Sequence, residues 1–521
     1  MKNMKKNIAI AVIGLLSTVA QAQTDELPRS TPEAEGIPSE TICQLIDSLT
    51  SQPRTDIHSM MILRHDRVVA EIYPKPFDKK YKHTLYSCSK TFVAAAIGIA
   101  IHEKRLRLTD RVAAILHDQL PDTISDELAE LTVRDLLTMT SGIQPDWEMR
   151  NYEQEWVRKW LSKPFLDKPG TTFRYDSMCT YLLSAVLQRV TGFDLLSYLK
   201  KHVFDAMNIT EVEWERSPEN ISTGGWGLRM QPESMAKFGL LLLHQGTWNG
   251  RQLIPQEWVA QMTTTQFHTG TTNYGYQTWI CDYPTAFVAD GALGQSILVV
   301  PEKDLVVVMT QNMATDGARQ RSFFWNLLIP AITENTMKTG KNYKKLQKKQ
   351  QTVALQTPQG KARPTTSKDF IGEKLMLSEN PCRWTSLKVL ETSASNLLSL
   401  HIADEQGNET PLTLGHQQWH TNIINTFPVY SVNALARFSG IEKPFAVAGS
   451  YAFRQDGSLA IQLHYVDWVT TVEIIIDRKD GQYTVALREN NAKELSQIEV
   501  IKARACKGCT RVSRLRGWWQ K

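Results

Sequence analysis

The stretch "YSCSKTF", Tyr86–Phe92, sets Ser87 and Lys90 three residues apart at the head of an apolar run that continues to Ile101. Residues three apart share one face of a helix, about one turn from each other, so the hydroxyl and the amine are expected within reach. A serine at a helix N-terminus lies near free backbone N–H groups, which can hold a developing oxyanion. The run after Lys90 is apolar on every face, which predicts a buried helix. Burial disfavours an ammonium ion and lowers a lysine's pKa, leaving a neutral amine able to take the serine's proton. The same serine could instead do no more than cap the helix. Spacing does not decide between the two, because Ser234-Met235-Ala236-Lys237 repeats it and also leads an apolar run.

With 521 residues the chain is too long for one ordinary core and is expected to form at least two folded units. Residues 1–22 read as an export signal: Lys2, Lys5 and Lys6, the apolar Ile8 to Leu16, then Ala20-Gln21-Ala22 as a cleavage site. A run this short falls below the roughly 20 residues of a spanning helix, so a periplasmic or secreted protein, cleaved after Ala22 and without a transmembrane segment, is expected. Cleavage lowers the basic count from 59 to 56 against 54 acids. So even a balance gives no global argument for nucleic acid. Seven cysteines, Cys43, Cys88, Cys179, Cys281, Cys382, Cys506 and Cys509, are too few for a disulfide scaffold. Cys506 and Cys509 form one isolated CxxC without the second pair a zinc site needs. No metal and no cofactor is expected, and the oligomeric state is not legible.

Residues 23–335 mix helical and strand patterns. Ser59 to Leu63 and Val68 to Tyr73 predict a hairpin, and Val133 to Met139 a helix behind a Thr132/Asp135 capping box. Further helices are predicted at Cys179 to Val190 and Pro232 to His244, and strands at Gln295 to Val300 and Leu305 to Thr310. Residues 336–368 hold nine basic side chains and no acid and read as a solvated linker. Residues 369–521 turn to short strands separated by turn signals such as Gln455-Asp456-Gly457 and predict a mostly antiparallel β domain. The basic end, Arg504 to Lys521, reads as an edge strand and solvated terminus.

Five blocks carry a resemblance: "YSCSKTFVAAAIG", "LLTMTSGI" (Leu136–Ile143), "FRYDSMCTYLLSAVLQRVTG" (Phe173–Gly192), "GGWGLRMQPESMAKFGLLLL" (Gly224–Leu243) and "GALGQSILVVPEKDLVVVMTQN" (Gly291–Asn312). In this order, from about Ile37 to Glu334, the chain resembles the β-lactamase-related serine hydrolases. That family includes class C β-lactamases, D-alanyl-D-alanine peptidases, and esterases and amidases such as the aminohexanoate-oligomer hydrolases. The resemblance implies an α/β (α+β) fold, an antiparallel sheet flanked by helices, ahead of the C-terminal β domain. It also implies that Ser87 is the nucleophile and Lys90 its base, while Ser234 and Lys237 fall in a packing helix.

The family's second motif, Tyr-x-Asn, reads Tyr175-Asp176-Ser177 here. Tyr175 is thereby implied as a proton-transfer group, with Ser177 offering Lys90 a hydroxyl where a carboxamide is commoner. The third motif, Lys/His-Thr-Gly on a strand, is matched literally by His268-Thr269-Gly270 and Lys338-Thr339-Gly340, but by context only by Ala289-Asp290-Gly291. The N–H of Ala292, just past Gly291, would pair with that of Ser87 as an oxyanion hole. Ala289 cannot hold a substrate carboxylate, and Asp290 would repel one if it pointed inward, whereas an outward Asp290 would be neutral in this respect. Trp226 either shapes a pocket or packs.

The resulting expectation is a serine hydrolase forming a Ser87 acyl-enzyme with a small-molecule ester, amide or peptide-like substrate, without efficient β-lactamase activity. The alternative is a penicillin-binding-like sensor or binding module with little turnover.

Overall fold

The computed structural model describes residues 26–151, 154–314, 317–363, 370–429, 438–479, 481–490 and 496–501. The export signal, the Cys506/Cys509 pair and the basic end lie outside them. The other five cysteines are free thiols.

The predicted hairpin forms as Thr55–Arg64 and Arg67–Ile72, at one edge of an eight-stranded antiparallel sheet. Leu305–Met313 pairs with Thr55–Arg64, and Gln295–Val300, Phe287–Gly291 and three two-residue strands follow outward. Side chains alternate along each strand. Met61, Leu63, Ile297, Val299, Val306 and Val308 therefore enter one core, and Met60, Ile62, Leu298, Val300, Val307 and Met309 another. Both faces being covered, these strands read as unbroken apolar runs. The first face carries the helices Ser89–His102, Ser177–Thr191 and Pro232–Leu243. The second carries Ser39–Thr50 and the π-helical turn Phe324–Leu328. The capping box stands as predicted, with Thr132 and Asp135 each accepting the other's backbone N–H.

A ten-stranded sheet built from Lys374–Leu377 to Ser496–Ile501 follows, antiparallel along its order. A parallel pairing of Gly415 and His416 with Ser450 and Tyr451 curls it into a near-barrel around its own apolar core. The fold class is thus the one expected.

The basic tract 336–368 departs from a plain solvated linker. Its Lys341–Thr352 segment is a helix that buries Leu346 in the second core. Lys, Gln and Leu are good helix formers, and the amines find acids on Ser39–Thr50: Lys349 pairs with Asp47 and Lys345 with Glu40. The chain then runs beside Lys75, which donates its N–H to Val353 O and accepts from Leu355 N.

Three buried histidines mark where the two sheets meet. His58 lies on Thr55–Arg64, His83 on the short strand His83–Thr84, and His464 on Leu459–Tyr465 of the second sheet. His83 Nδ1 lies 2.8 Å from Thr84 O, so it carries the proton and donates; its Nε2 then accepts from His58 Nδ1 at 2.8 Å. Phe77 stacks on His58 and meets His464 edge-on. Burial lowers His83 and His464 to about 3, and His58 well below its ordinary value. Between about pH 6.5 and 3 these three side chains therefore bind fewer protons in the folded chain than in the unfolded one, and their contribution to stability falls as pH falls through that window. His464→Phe is expected to flatten that fall by up to about one proton, ~1.4 kcal/mol per pH unit. Urea midpoints measured from pH 7 to 4 for both proteins check it.

Candidate active site

Ser87 sits in the 3-10 turn Tyr86–Cys88, directly before the helix Ser89–His102. The N-cap position of that helix belongs to Cys88 and makes no side-chain cap hydrogen bond, so Ser87 is not a cap. The turn is tied to the strand Leu228–Met230 at two points: Leu85 N donates to Leu228 O at 2.9 Å, and Leu228 N to Ser89 Oγ at 3.2 Å.

Lys90 is 1% exposed. Its Nζ donates to Ser87 Oγ and Ser177 Oγ, both at 2.9 Å, and to Gly225 O at 2.6 Å. It also stands 4.9 Å from the centre of the Tyr175 ring. A buried amine needs this many acceptors, since an unsatisfied cationic group would be costly to keep out of water.

Tyr175 and Ser177 flank Asp176, the N-cap of Ser177–Thr191. Asp176 accepts from Met178 N at 2.8 Å and from Trp160 Nε1 at 3.0 Å, so its carboxylate belongs to the helix end, and burial raises its pKa. Burial also pushes the Tyr175 phenol up strongly, opposed by its hydrogen bond with Ser87 and aided by the charge of Asp290. Trp279 stacks on the Tyr175 ring at 5.4 Å, and Tyr274 meets both rings edge-on.

The strand Phe287–Gly291 ends against the Ser87 turn. A side chain at Gly291 would start 2.3 Å from Leu85 O and 3.2 Å from Cys88 Sγ, so only glycine permits this approach. Ala289, two residues earlier, faces the same core. Asp290 alternates to the other face, where it accepts from Arg321 Nη1 at 2.8 Å. The inward-pointing alternative for Asp290 is therefore corrected: its charge is matched by a guanidinium. Ala292 opens the turn Ala292–Gly294 immediately after the strand.

The competing matches lie elsewhere. Lys237 Nζ donates to Met207 O at 2.9 Å and serves packing beneath the sheet. His268 is on the exposed outermost strand, and Lys338 precedes the helix Lys341–Thr352 outside both sheets. Trp226 is buried 6.0 Å from Trp156, and its carbonyl accepts from Trp214 Nε1, a packing role. Sequence reasoning missed Gly225, whose contribution is a backbone carbonyl, and Trp279, one aromatic among many. A Gly-Gly pair ahead of Trp226 was the available signal for the first. Among the described residues no three His, Cys, Asp or Glu side chains stand together as metal ligands.

A family model described as Beta-lactamase matches residues 44–326. The chain is 22% identical over 333 residues to a 6-aminohexanoate-dimer hydrolase of Paenarthrobacter ureafaciens, covering 58% of this chain and 83% of that protein. It is 23% identical over 299 residues to an uncharacterised protein of Alkalihalophilus pseudofirmus, covering 49% and 83% respectively. A solved structure of a candidate 6-aminohexanoate-dimer hydrolase from Bacillus anthracis superposes with a TM-score of 0.50 at 19% identity. It covers 58% of this chain and 86% of that one, which shows a shared fold.

Gly225→Ala would set a methyl group 2.5 Å from Ser177 O and 2.9 Å from Ser177 Cβ. Displacing the Lys90 acceptors in this way is expected to slow fluorophosphonate labelling by on the order of 10²-fold. Labelling rates of the variant and the wild type under identical conditions measure it.

Proposed function

The chain belongs to the beta-lactamase family of serine hydrolases, and on that premise we propose that it cleaves a small-molecule ester or amide through a Ser87 acyl-enzyme. The observation that carries this is the Lys90 amine held between Ser87 Oγ, Ser177 Oγ and Gly225 O. Gly225 O can only accept, and Ser177 Oγ can take a second N–H. A neutral amine then turns its lone pair to Ser87.

In acylation, Ser87 Oγ attacks the substrate carbonyl while its proton passes to the neutral Lys90 amine, from which Tyr175 is reprotonated after it has donated. Tyr175, hydrogen-bonded to Ser87, returns a proton to the leaving alcohol or amine as the carbonyl–heteroatom bond breaks. Water then attacks the acyl-enzyme, its proton is taken by the same pair, and Ser87 regains its own as the acid departs. A phenol held protonated by burial suits the donor role. The backbone N–H groups of Ser87 and Ala292 supply the oxyanion hole, which the tight approach of Gly291 to the Ser87 turn supports.

The substrate class follows from what the third motif lacks. Ala289 offers no charge, and Arg321 is engaged by Asp290. A carboxylate beside the scissile bond thus gains little there, which weighs against efficient β-lactam hydrolysis and favours a neutral or cationic ester or amide. The Paenarthrobacter relative is named a 6-aminohexanoate-dimer hydrolase, and the bond joining two such amino acids is an amide, which supports the amide part of that class. The signal-like residues 1–22 support action in the periplasm or outside the cell, and none of the described helices is long and apolar enough to cross a membrane. Ser177 in place of the family's asparagine favours a second reading, a sensor that acylates without turning over.

A fluorophosphonate probe and p-nitrophenyl acetate separate these readings. Ser87→Ala is expected to abolish labelling, and Lys90→Met to lower turnover by about 10²–10⁴-fold, the usual contribution of a general base. Labelling that survives Ser87→Ala would remove the nucleophile, and labelling without turnover in the wild type would establish the sensor. Hydrolysis of the ester is expected to exceed that of nitrocefin in kcat/KM; the reverse order would refute the substrate class.

A further inference from the structure

One chain neighbour of each candidate oxyanion donor is anchored in the second sheet. Tyr86 directly precedes Ser87, has φ 47° and is buried in the same packed cluster as Phe445 and Trp468. Leu293 directly follows Ala292, has φ 60° and packs half-buried against that same cluster. A left-handed backbone is unfavourable for any residue with a Cβ and persists only where the surroundings impose it. Here those surroundings come from the second sheet and not from the first sheet and its helices, among which the Ser87 turn sits. The N–H of Ser87 belongs to the peptide unit that joins it to Tyr86, so the conformation of Tyr86 aims it.

Two further ties hold the second sheet against this site. Arg229, next to the Leu228 that pins the Ser87 turn, donates to Asp467 O at 2.7 Å and lies over the Phe445 and Trp468 rings. Asn312, near the end of the strand Leu305–Met313, donates to Val469 O at 3.1 Å and Thr471 Oγ1 at 3.0 Å.

We propose that the C-terminal sheet is a working part of the Ser87 site: by seating Tyr86 and Leu293 it fixes the backbone donors of Ser87 and Ala292 around the reacting carbonyl. Tyr86 and Leu293 are positioning residues, and this role rests on the Ser87 acyl-enzyme reading. Their loss lowers the rate of the chemical step more than it weakens substrate binding, because the donors act on charge that develops in the transition state.

Tyr86→Gly and Leu293→Gly keep the left-handed backbone accessible and remove only the anchor. Leu293 is half-buried, so its truncation also leaves a folded protein to measure. With p-nitrophenyl acetate and the fluorophosphonate probe on the full chain, both variants are expected to lose on the order of 10²-fold in kcat and in labelling rate. KM should stay within about twofold, and Tyr86→Phe and Leu293→Met should restore most of the rate. A kcat within twofold of wild type in Leu293→Gly, whatever its Tm, overturns the proposal, as does an equal loss in Leu293→Met. Ser87→Ala run beside them keeps the two levels apart. Labelling that persists in it defeats the acyl-enzyme reading itself, whereas its loss alongside unaffected glycine variants defeats only the positioning role.

Discussion

The rest of the site is arranged around one demand: the Lys90 amine, nearly out of water, needs an acceptor for every proton it carries and still has to face Ser87. Three elements distant in sequence meet that demand with a serine hydroxyl, a second serine hydroxyl and a glycine carbonyl. Ser177 is short, so the helix end that bears it has to come close, and Asp176 fixes that end by capping it and binding Trp160. The Gly225 backbone comes equally close because no Cβ intervenes. Burial of the amine is thus a constraint on the backbone of three segments before it is a feature of catalysis.

The sheet supplies the opposite wall under a similar constraint. Its strands alternate between two dry cores, so a polar side chain on Phe287–Gly291 needs a partner on whichever face it meets. Asp290 finds Arg321, and Gly291 leaves room for the Ser87 turn. The charge that sequence alone left pointing either way is fixed by the strand's period of two.

What could be read from the sequence was what is local. The Ser87/Lys90 spacing, the Thr132/Asp135 box and the apolar runs each depend on neighbours within a few residues, and the order of the five blocks added the fold. What could not be read depends on partners far away. Nothing between Lys341 and Thr352 announces that Asp47 and Glu40, some 300 residues earlier, turn a basic tract into a packed helix. A backbone acceptor such as Gly225 O has no residue-type signature. The role of Tyr86, inside the motif itself, had no signal in the sequence because its packing partners lie beyond residue 369.

Arg229 is 2% exposed, with Glu213 as its salt-bridge partner on one side and two aromatic rings of the other sheet above it. Drawing the sheets apart would strip the rings from this guanidinium, break its bond to Asp467 O and expose the apolar side chains packed there, Tyr86, Leu293, Phe445 and Trp468, to water. A hinge between the two bodies is therefore closed off energetically, although the chain between them is long enough to allow one. The molecule should melt as one calorimetric unit.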